Sequence, residues 1–368
     1  MKTTLKIISK ILSAILICTI NFPLAPWMVG GEEKYFSDWD QNIEYDPQTD
    51  AINLEKDPNK DFVILNLTDI QLNDNEFNAS EGDIAYYTMD YLVEKNQPDL
   101  ITLTGDNAWG KEAYVSLIKK LESYNIPYAP IMGNHDGQLT YKTYNGSYKN
   151  IIDEFWCAYK LAKGKNSLFK FGPKDMGYGN YIINITENGN IIHTLYMLDT
   201  HSDSDKIADS YDHLWDNQIE YYKWAVEGTN KFAEKNVEST VLFHIPVPEY
   251  ENAAKTAFDF EKQQYLNGHE HDEFCYINEP ICAPKFQNGF FNVCKDLDST
   301  KTIIVGHDHV NCFNINYEGI NLVYAMKTGP GCYSDLSLMN GGTLIKISSD
   351  GKAKVSFDRV DINLMPHD

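Results

Sequence analysis

The chain has 368 residues, of which 43% are apolar, so it can bury one large core or two ordinary ones, and nothing in it reads as disordered or repetitive. Its 53 acidic residues against 31 basic give a formal charge of -22, a surface that repels polyanions, so nucleic acid is not an expected partner. Arg359 is the only arginine, and no guanidinium is at hand to clamp a phosphate; metals and backbone N–H groups would have to carry that load.

In chain order, Lys2, Lys6 and Lys10 precede an apolar run from Ile11 to Ile20, broken only by Ser13 and Thr19. Phe22 to Val29 follows, with Pro23 and Pro26 ending any helix. Residues 1–29 therefore read as a secretory signal peptide or, if uncleaved, a signal anchor attaching the protein to a membrane. Either way the rest of the chain is expected to be secreted or to face an endomembrane or lysosomal lumen. Six cysteines lie beyond Cys18, five of them between 275 and 332, and disulfides stapling the C-terminal loops are expected. Glycosylation sequons occur at Asn66, Asn78, Asn145 and Asn184. Asn145, in a polar loop, is the best acceptor, whereas Asn66 sits inside a strand.

Residues 30–60 are polar and read as an irregular lead-in. From Asp61 onward, apolar runs alternate with amphipathic segments, which predicts a layered α/β fold. The expected strands are 62–68, 100–104, 128–132, 181–186, 191–198, 240–244, 301–305, 321–326, 342–347 and 353–359. The expected helices are 81–95, 111–124, 150–160 and 216–228. Segment 246–300 has little periodicity and three cysteines, and reads as an inserted loop region that shapes a pocket. Its run Gly268-His269-Glu270-His271-Asp272 reads as a solvated loop or, alternatively, as a source of further polar or metal contacts.

Five short polar stretches each close an apolar run: Thr68-Asp69-Ile70-Gln71, Gly105-Asp106-Asn107, Gly133-Asn134-His135-Asp136, Phe243-His244 and Gly306-His307-Asp308-His309. In layered α/β folds, strand ends converge on one crevice, so these residues are expected to meet there. Carboxylate, imidazole and amide oxygen together suit zinc, iron or manganese better than calcium, which prefers oxygen alone. Singly, an Asp after a strand is as well read as a helix cap. The ordered set is far more specific.

These motifs resemble the calcineurin-like metallophosphoesterase superfamily over roughly residues 61–348. Ile126-Pro127-Tyr128-Ala129, His244-Ile245-Pro246-Val247-Pro248-Glu249-Tyr250, Asn288-Gly289-Phe290-Phe291 and Gly319-Ile320-Asn321-Leu322 with Thr328-Gly329 are similar to the small purple-acid-phosphatase-like branch of eukaryotes. The resemblance implies a four-layer fold over residues 61–360, a central β-sandwich flanked by helices, with two divalent or Fe/Zn/Mn-type metal ions at the C-terminal rim of the strands. It further implies that the first metal takes Asp69, Asp106, His309 and whatever residue 71 offers. The second would take Asp106 as bridge with Asn134, His244 and His307. His135 would stand beside them as the acid for the leaving group, held by Asp136.

Two departures stand out. The first motif of most relatives is Asp-x-His, and Gln71 stands here in place of that imidazole, a weaker ligand. Purple acid phosphatases proper place a tyrosinate where this chain has Trp109, so no ferric-tyrosinate colour is expected. The activity implied is hydrolysis of a small phosphate monoester by a metal-bridging hydroxide. A phosphodiesterase acting on nucleotide or phospholipid-type esters, and a non-catalytic metal- or phosphate-binding protein, are the alternatives.

Overall fold

The computed structural model describes residues 31–73, 79–142, 148–150, 154–208, 210–268, 275–286 and 288–365. The targeting segment 1–29, Asn78, Asn145 and the run 269–272 lie outside the described residues.

The strands, in chain order, are β1 (Ile52–Glu55), β2 (Phe62–Leu67), β3 (Leu100–Thr104), β4 (Tyr128–Ile131), β5 (Thr140–Lys142), β6 (Tyr148–Asn150), β7 (Tyr181–Glu187), β8 (Asn190–Met197), β9 (Glu238–Leu242), β10 (Phe258–Asp259), β11 (Gln264–Tyr265), β12 (Tyr276–Ile277), β13 (Thr300–Val305), β14 (Asn311–Tyr317), β15 (Ile320–Tyr324), β16 (Gly341–Ile347) and β17 (Ala353–Arg359). The α-helices are α1 (Ala79–Asn96), α2 (Lys111–Ser123), α3 (Glu154–Leu161), α4 (Asp216–Ala233), α5 (Glu249–Ala257) and α6 (Phe290–Leu297).

Two mixed sheets form the centre. One has eight strands in the order β1-β7-β8-β9-β13-β15-β14-β12, the other five in the order β17-β16-β2-β3-β4. Helix α1 packs on the five-stranded sheet, while α4, α5 and α6 pack on the eight-stranded one. The strands read as near-continuous apolar runs because they are covered on both faces. In β3, all five residues are buried. Within each sheet, β2, β3 and β4 run parallel, as do β8, β9, β13 and β15. Parallel strands end on the same side, so the loops after β2, β3, β4, β9 and β13 share one rim. That common rim places the site.

All ten expected strands are present, with ends displaced by at most two residues. Several elements were missed. Short β1 lies in the lead-in and pairs parallel with β7. Strand β14 alternates buried and exposed residues only at its C-terminal end, which hides its period. The supposed loop region 246–300 contains α5 and α6, whose faces bury Tyr250, Ala253, Ala254, Phe290, Phe291 and Cys294. Both helices have about two turns, too short for their periodicity to stand out.

The expected disulfides are not formed: Cys157, Cys275, Cys282, Cys294, Cys312 and Cys332 are all free. Four of them, Cys157, Cys275, Cys294 and Cys312, are buried, and the Cys157 thiol donates to the Asp136 carbonyl at 2.9 Å. The sequons at Asn66 and Asn184 are buried within β2 and β7, where no glycan fits; Asn66 instead bonds the Thr102 and Thr104 hydroxyls. No helix among the described residues is long and apolar enough to cross a membrane.

His193 ties the sheets together. Its Nδ1 donates to the carbonyl of Gly351, in the turn between β16 and β17, and its Nε2 meets the Thr240 hydroxyl on β9 at 3.0 Å. Complete burial pushes the imidazole down to about 4. The folded form thus binds its proton less readily than the unfolded chain does. The stabilisation is full above pH about 6.5 and is lost as pH falls toward 4, amounting to roughly 3 kcal/mol. Chemical denaturation of wild type and His193→Gln between pH 7 and pH 4.5 should show a shallower pH slope for the variant; parallel slopes would rule out this linkage.

Candidate metal centre

Each motif turns sharply as it leaves its strand. Asp69 (φ 50°), Gln71 (φ 44°), Asp106 (φ 52°) and His307 (φ 88°) all occupy the left-handed region, which is costly for residues with a Cβ and persists only where surrounding structure enforces it. Two glycines make the close approach feasible. A Cβ on Gly133 would lie 2.3 Å from Asp106 Oδ1, and one on Gly306 would lie 2.5 Å from Asp69 Oδ2. Alanine fits at neither position.

The turns bring Asp69, Asp106 and His309 together, with one ligand atom from each lying within 4.8 Å of the others. All three are buried, and this Asp/Asp/His cluster can hold a metal ion. His309 Nε2 is 3.6 Å from Asp69 Oδ1. Its Nδ1 contacts the Tyr333 carbonyl at 3.1 Å; a carbonyl only accepts, so Nδ1 carries the hydrogen and Nε2 turns a lone pair to the carboxylates. Gln71 completes this side. Its Nε2 donates to Asp106 Oδ2 at 2.9 Å, while its buried Oε1 has no donor among the described residues.

On the other side of Asp106, three atoms converge. Asn134 Oδ1 is 2.9 Å from His244 Nε2 and 3.0 Å from His307 Nδ1, and the two nitrogens are 3.3 Å apart. His244 Nε2 is also 3.4 Å from Asp106 Oδ1. His244 Nδ1 donates to the Thr104 carbonyl at 2.8 Å, which leaves Nε2 with a lone pair. When His307 Nδ1 also carries no hydrogen, three lone pairs face one another, an arrangement that a cation among them would stabilise. A tetrahedral ion with bonds of ~2.0–2.1 Å has ligand–ligand edges of about 3.3 Å, which matches the spacing.

For two of the imidazoles the electrostatics agree. Burial, reinforced by the neighbouring His244 and His135, holds His307 far below its usual range, and burial with Lys327 nearby holds His309 down to about 3. Both stay neutral, as metal ligands must. For His244, burial pushes the imidazole down, but Asp106 and Asp69 outweigh it and the net shift is upward.

His135 is placed beside the cluster. Its backbone N–H donates to Asp106 Oδ1 at 2.9 Å, and its ring packs against Trp109 with centroids 4.6 Å apart. The expectation that Asp136 holds His135 is overturned: the His135 Nδ1 partner is Gln138 Oε1, at 2.9 Å. Asp136 faces the other way and accepts from the backbone N–H groups of Gly133 and Asn107 and from the Asn107 side chain. It staples the second motif to the third, and burial together with the nearby Asp106 raises its carboxyl. Asp308 likewise turns away, accepting from Tyr324 Oη at 2.5 Å and from the Cys282 backbone N–H.

One residue escaped sequence reasoning. Lys327 is fully buried, and its ammonium donates to the Asp69 carbonyl. Burial pushes it down to about 8, against the pull of Asp69 and Asp106. A signal existed: Lys327 closes the apolar run from Leu322 to Met326, just as the recognised motifs close theirs.

A scan against family models matches the calcineurin-like phosphoesterase model over residues 62–273. The chain belongs to that family, and its relatives lie among purple-acid-phosphatase-like and related eukaryotic phosphatases. "Probable inactive purple acid phosphatase 14" of Arabidopsis thaliana is 28% identical over 64% of this chain and 60% of its own length. "Phosphatase DCR2" of Saccharomyces cerevisiae is also 28% identical, over 72% of this chain and 46% of its own. The chain thus spans about half to two thirds of the length of these relatives. Among solved structures, a dimetal phosphatase from Danio rerio aligns over 81% of this chain and 96% of its own, at 11% identity and a TM-score of 0.48.

Lys327 is the only cation among the described residues that touches the Asp69 turn from within the core. Lys327→Met should destabilise the metal-free protein by about 1–3 kcal/mol, the usual cost of leaving a buried acceptor, here the Asp69 carbonyl, without its donor. Urea unfolding in chelator and in excess zinc should show a smaller loss with zinc; no loss in chelator would mean that the ammonium is not needed.

Proposed function

We propose that this protein is a dinuclear metal-dependent phosphoric monoester hydrolase of the acid-phosphatase type. The observation that carries this reading is the position of Asp106 between two ligand groups, one oxygen toward each: Oδ2 toward Gln71 and Oδ1 toward His244. Asp69, Gln71, Asp106 and His309 would hold one ion, and Asp106, Asn134, His244 and His307 the other. Two such ions would neutralise the phosphoryl oxygens and provide a nucleophile from water near neutral pH.

The chain's own groups do the rest. Gln138 holds the ring of His135 through Nδ1, which leaves Nε2 as the nitrogen that would donate to the departing alkoxide. His244 and His309 cannot rotate, because carbonyls hold their Nδ1–H groups. The buried rim excludes water from the carboxylates and strengthens their hold on a cation. No arginine is needed.

Gln71 favours a second reading, a binding protein whose first ion is held weakly or lost. Its neutral amide replaces an imidazole, and three curated relatives carry the words "probable inactive" in their names. We also propose export through residues 1–29, which N-terminal sequencing of the mature protein checks.

Metal analysis after mild purification, followed by assays with p-nitrophenyl phosphate and its bis ester, separates the readings. Two ions per chain and at least tenfold faster turnover of the monoester are expected. Preference for the diester would favour the phosphodiesterase reading, and one ion or none without turnover would favour the binding protein. Asp106→Asn should abolish turnover, whereas His135→Asn should keep both ions and lose about 100-fold or more in kcat; wild-type rates in Asp106→Asn with two ions would refute the bridging role. Loading with ferric iron should give no violet band, since Trp109 occupies the tyrosinate position, and strong absorbance would contradict this.

A further inference from the structure

Each of three histidines at the centre is covered by an aromatic ring: Trp109 by His135, Tyr211 by His307 and Tyr333 by His309, with centroid separations of 4.6, 4.3 and 4.2 Å. Two of the covers have evident local duties. Trp109 walls the candidate acid, and Tyr333 is tied through its hydroxyl to Glu279 at 2.9 Å. Tyr211 is different, because its ring also lines a cavity of about 460 Å³ together with Asp203, Ser204 and Ser210.

This cavity belongs to a strap between β8 and α4. Asp203 and Tyr211 pair as an antiparallel bridge, Ser204 N donates to Ser210 O at 2.9 Å, and Asp212 N donates to Ser202 O at 2.8 Å. Ser210 is pinned from outside by the Lys285 N–H at 3.0 Å. The strap is held in place while half-buried Tyr211 stands perpendicular to the His307 ring, at 90°. The Tyr211 ring thus touches both the His307 ring and an open depression that also presents Asp203, Ser204 and Ser210.

Building on the hydrolase reading, we propose that Tyr211, Asp203, Ser204 and Ser210 form the leaving-group subsite, and that it accepts a neutral, ring-shaped polyhydroxy alcohol. The chemistry of the lining sets the class. An aromatic face covers the apolar face of a ring, and a carboxylate with hydroxyls takes up adjacent O–H donors. Ser210 Oγ already donates to the Tyr211 carbonyl at 2.9 Å and Ser204 Oγ accepts from the Ile207 N–H at 3.1 Å, so a lone pair of Ser210, the hydroxyl hydrogen of Ser204 and the exposed Asp203 carboxylate are what a ligand's hydroxyls can pair with. Asp203 repels a leaving group that carries further phosphates. A free sugar phosphate and the ribose of a nucleoside monophosphate share this chemistry.

The test uses the full-length, metal-loaded protein with ribose 5-phosphate, adenosine 5'-monophosphate and n-butyl phosphate. Wild type should show kcat/KM at least tenfold higher for one or both ring esters than for butyl phosphate. Preference for ribose 5-phosphate alone points to free sugars, and preference for the nucleotide points to a base stacked on Tyr211. Asp203→Ala, Ser210→Ala and Tyr211→Leu should each lower the ratio of ring to butyl ester toward one, mainly through KM, with two ions still bound. A wild-type ratio near one, or variants that retain the wild-type ratio, would overturn the subsite while leaving the hydrolase reading intact. If no ester is turned over, the hydrolase reading fails, and calorimetric binding of the same three esters decides the subsite by the same tenfold criterion.

Discussion

Three buried carboxylates within one small volume are the constraint on which the rest of the structure turns. Asp69 and Asp106 are 1% exposed and Asp136 is fully buried. Burying one unpaired carboxylate is costly, and burying several together compounds the cost. The protein addresses them differently. Asp136 is satisfied by three N–H donors, whereas Asp69 and Asp106 receive backbone and amide hydrogens on some lone pairs and leave others facing neutral imidazoles. One lysine from below does not balance two carboxylates. Cations from above would.

The two-sheet scaffold exists to make that convergence repeatable. Parallel pairing puts five strand ends on one rim, and left-handed backbone at Asp69, Gln71, Asp106 and His307 then turns their side chains inward. Such strain is tolerated because every turn is pinned by another. The Asp69 carboxylate accepts from the His307 N–H, the Asp106 carboxylate from the His135 N–H, and Gln71 N–H donates to the Asp106 carbonyl. Loss of one turn would loosen its neighbours. The Gln71 amide, donating to Asp106 with its own oxygen unsatisfied, is where the set is weakest.

Much of this was legible in the sequence because strand ends are written in apolar runs closed by glycine and polar residues. Asp69, Gln71, Asp106, Asn134, His135, His244, His307 and His309 all reach the same rim from such ends. What stayed hidden depends on distance in space. Nothing local distinguishes Asp136, which staples two motifs, from a partner of His135. Lys327 ends an apolar run as the ligands do, but a lysine there reads as solvated until the core closes over it. Tyr211 lies in a polar strap with no period, and its ring matters only because α4 and the 275–286 segment fix the strap against His307. The cysteines misled for the opposite reason: clustering along the chain did not become bonding, even where β12 and β14 bring Cys275 and Cys312 to neighbouring positions.

The sharing of Asp106 between two cations is tested most directly by anomalous diffraction from crystals grown with saturating zinc or manganese. Two peaks about 3.5–4 Å apart, both within bonding distance of the Asp106 carboxylate, are the expected result. A single peak, or a second ion bound without Asp106, would contradict it.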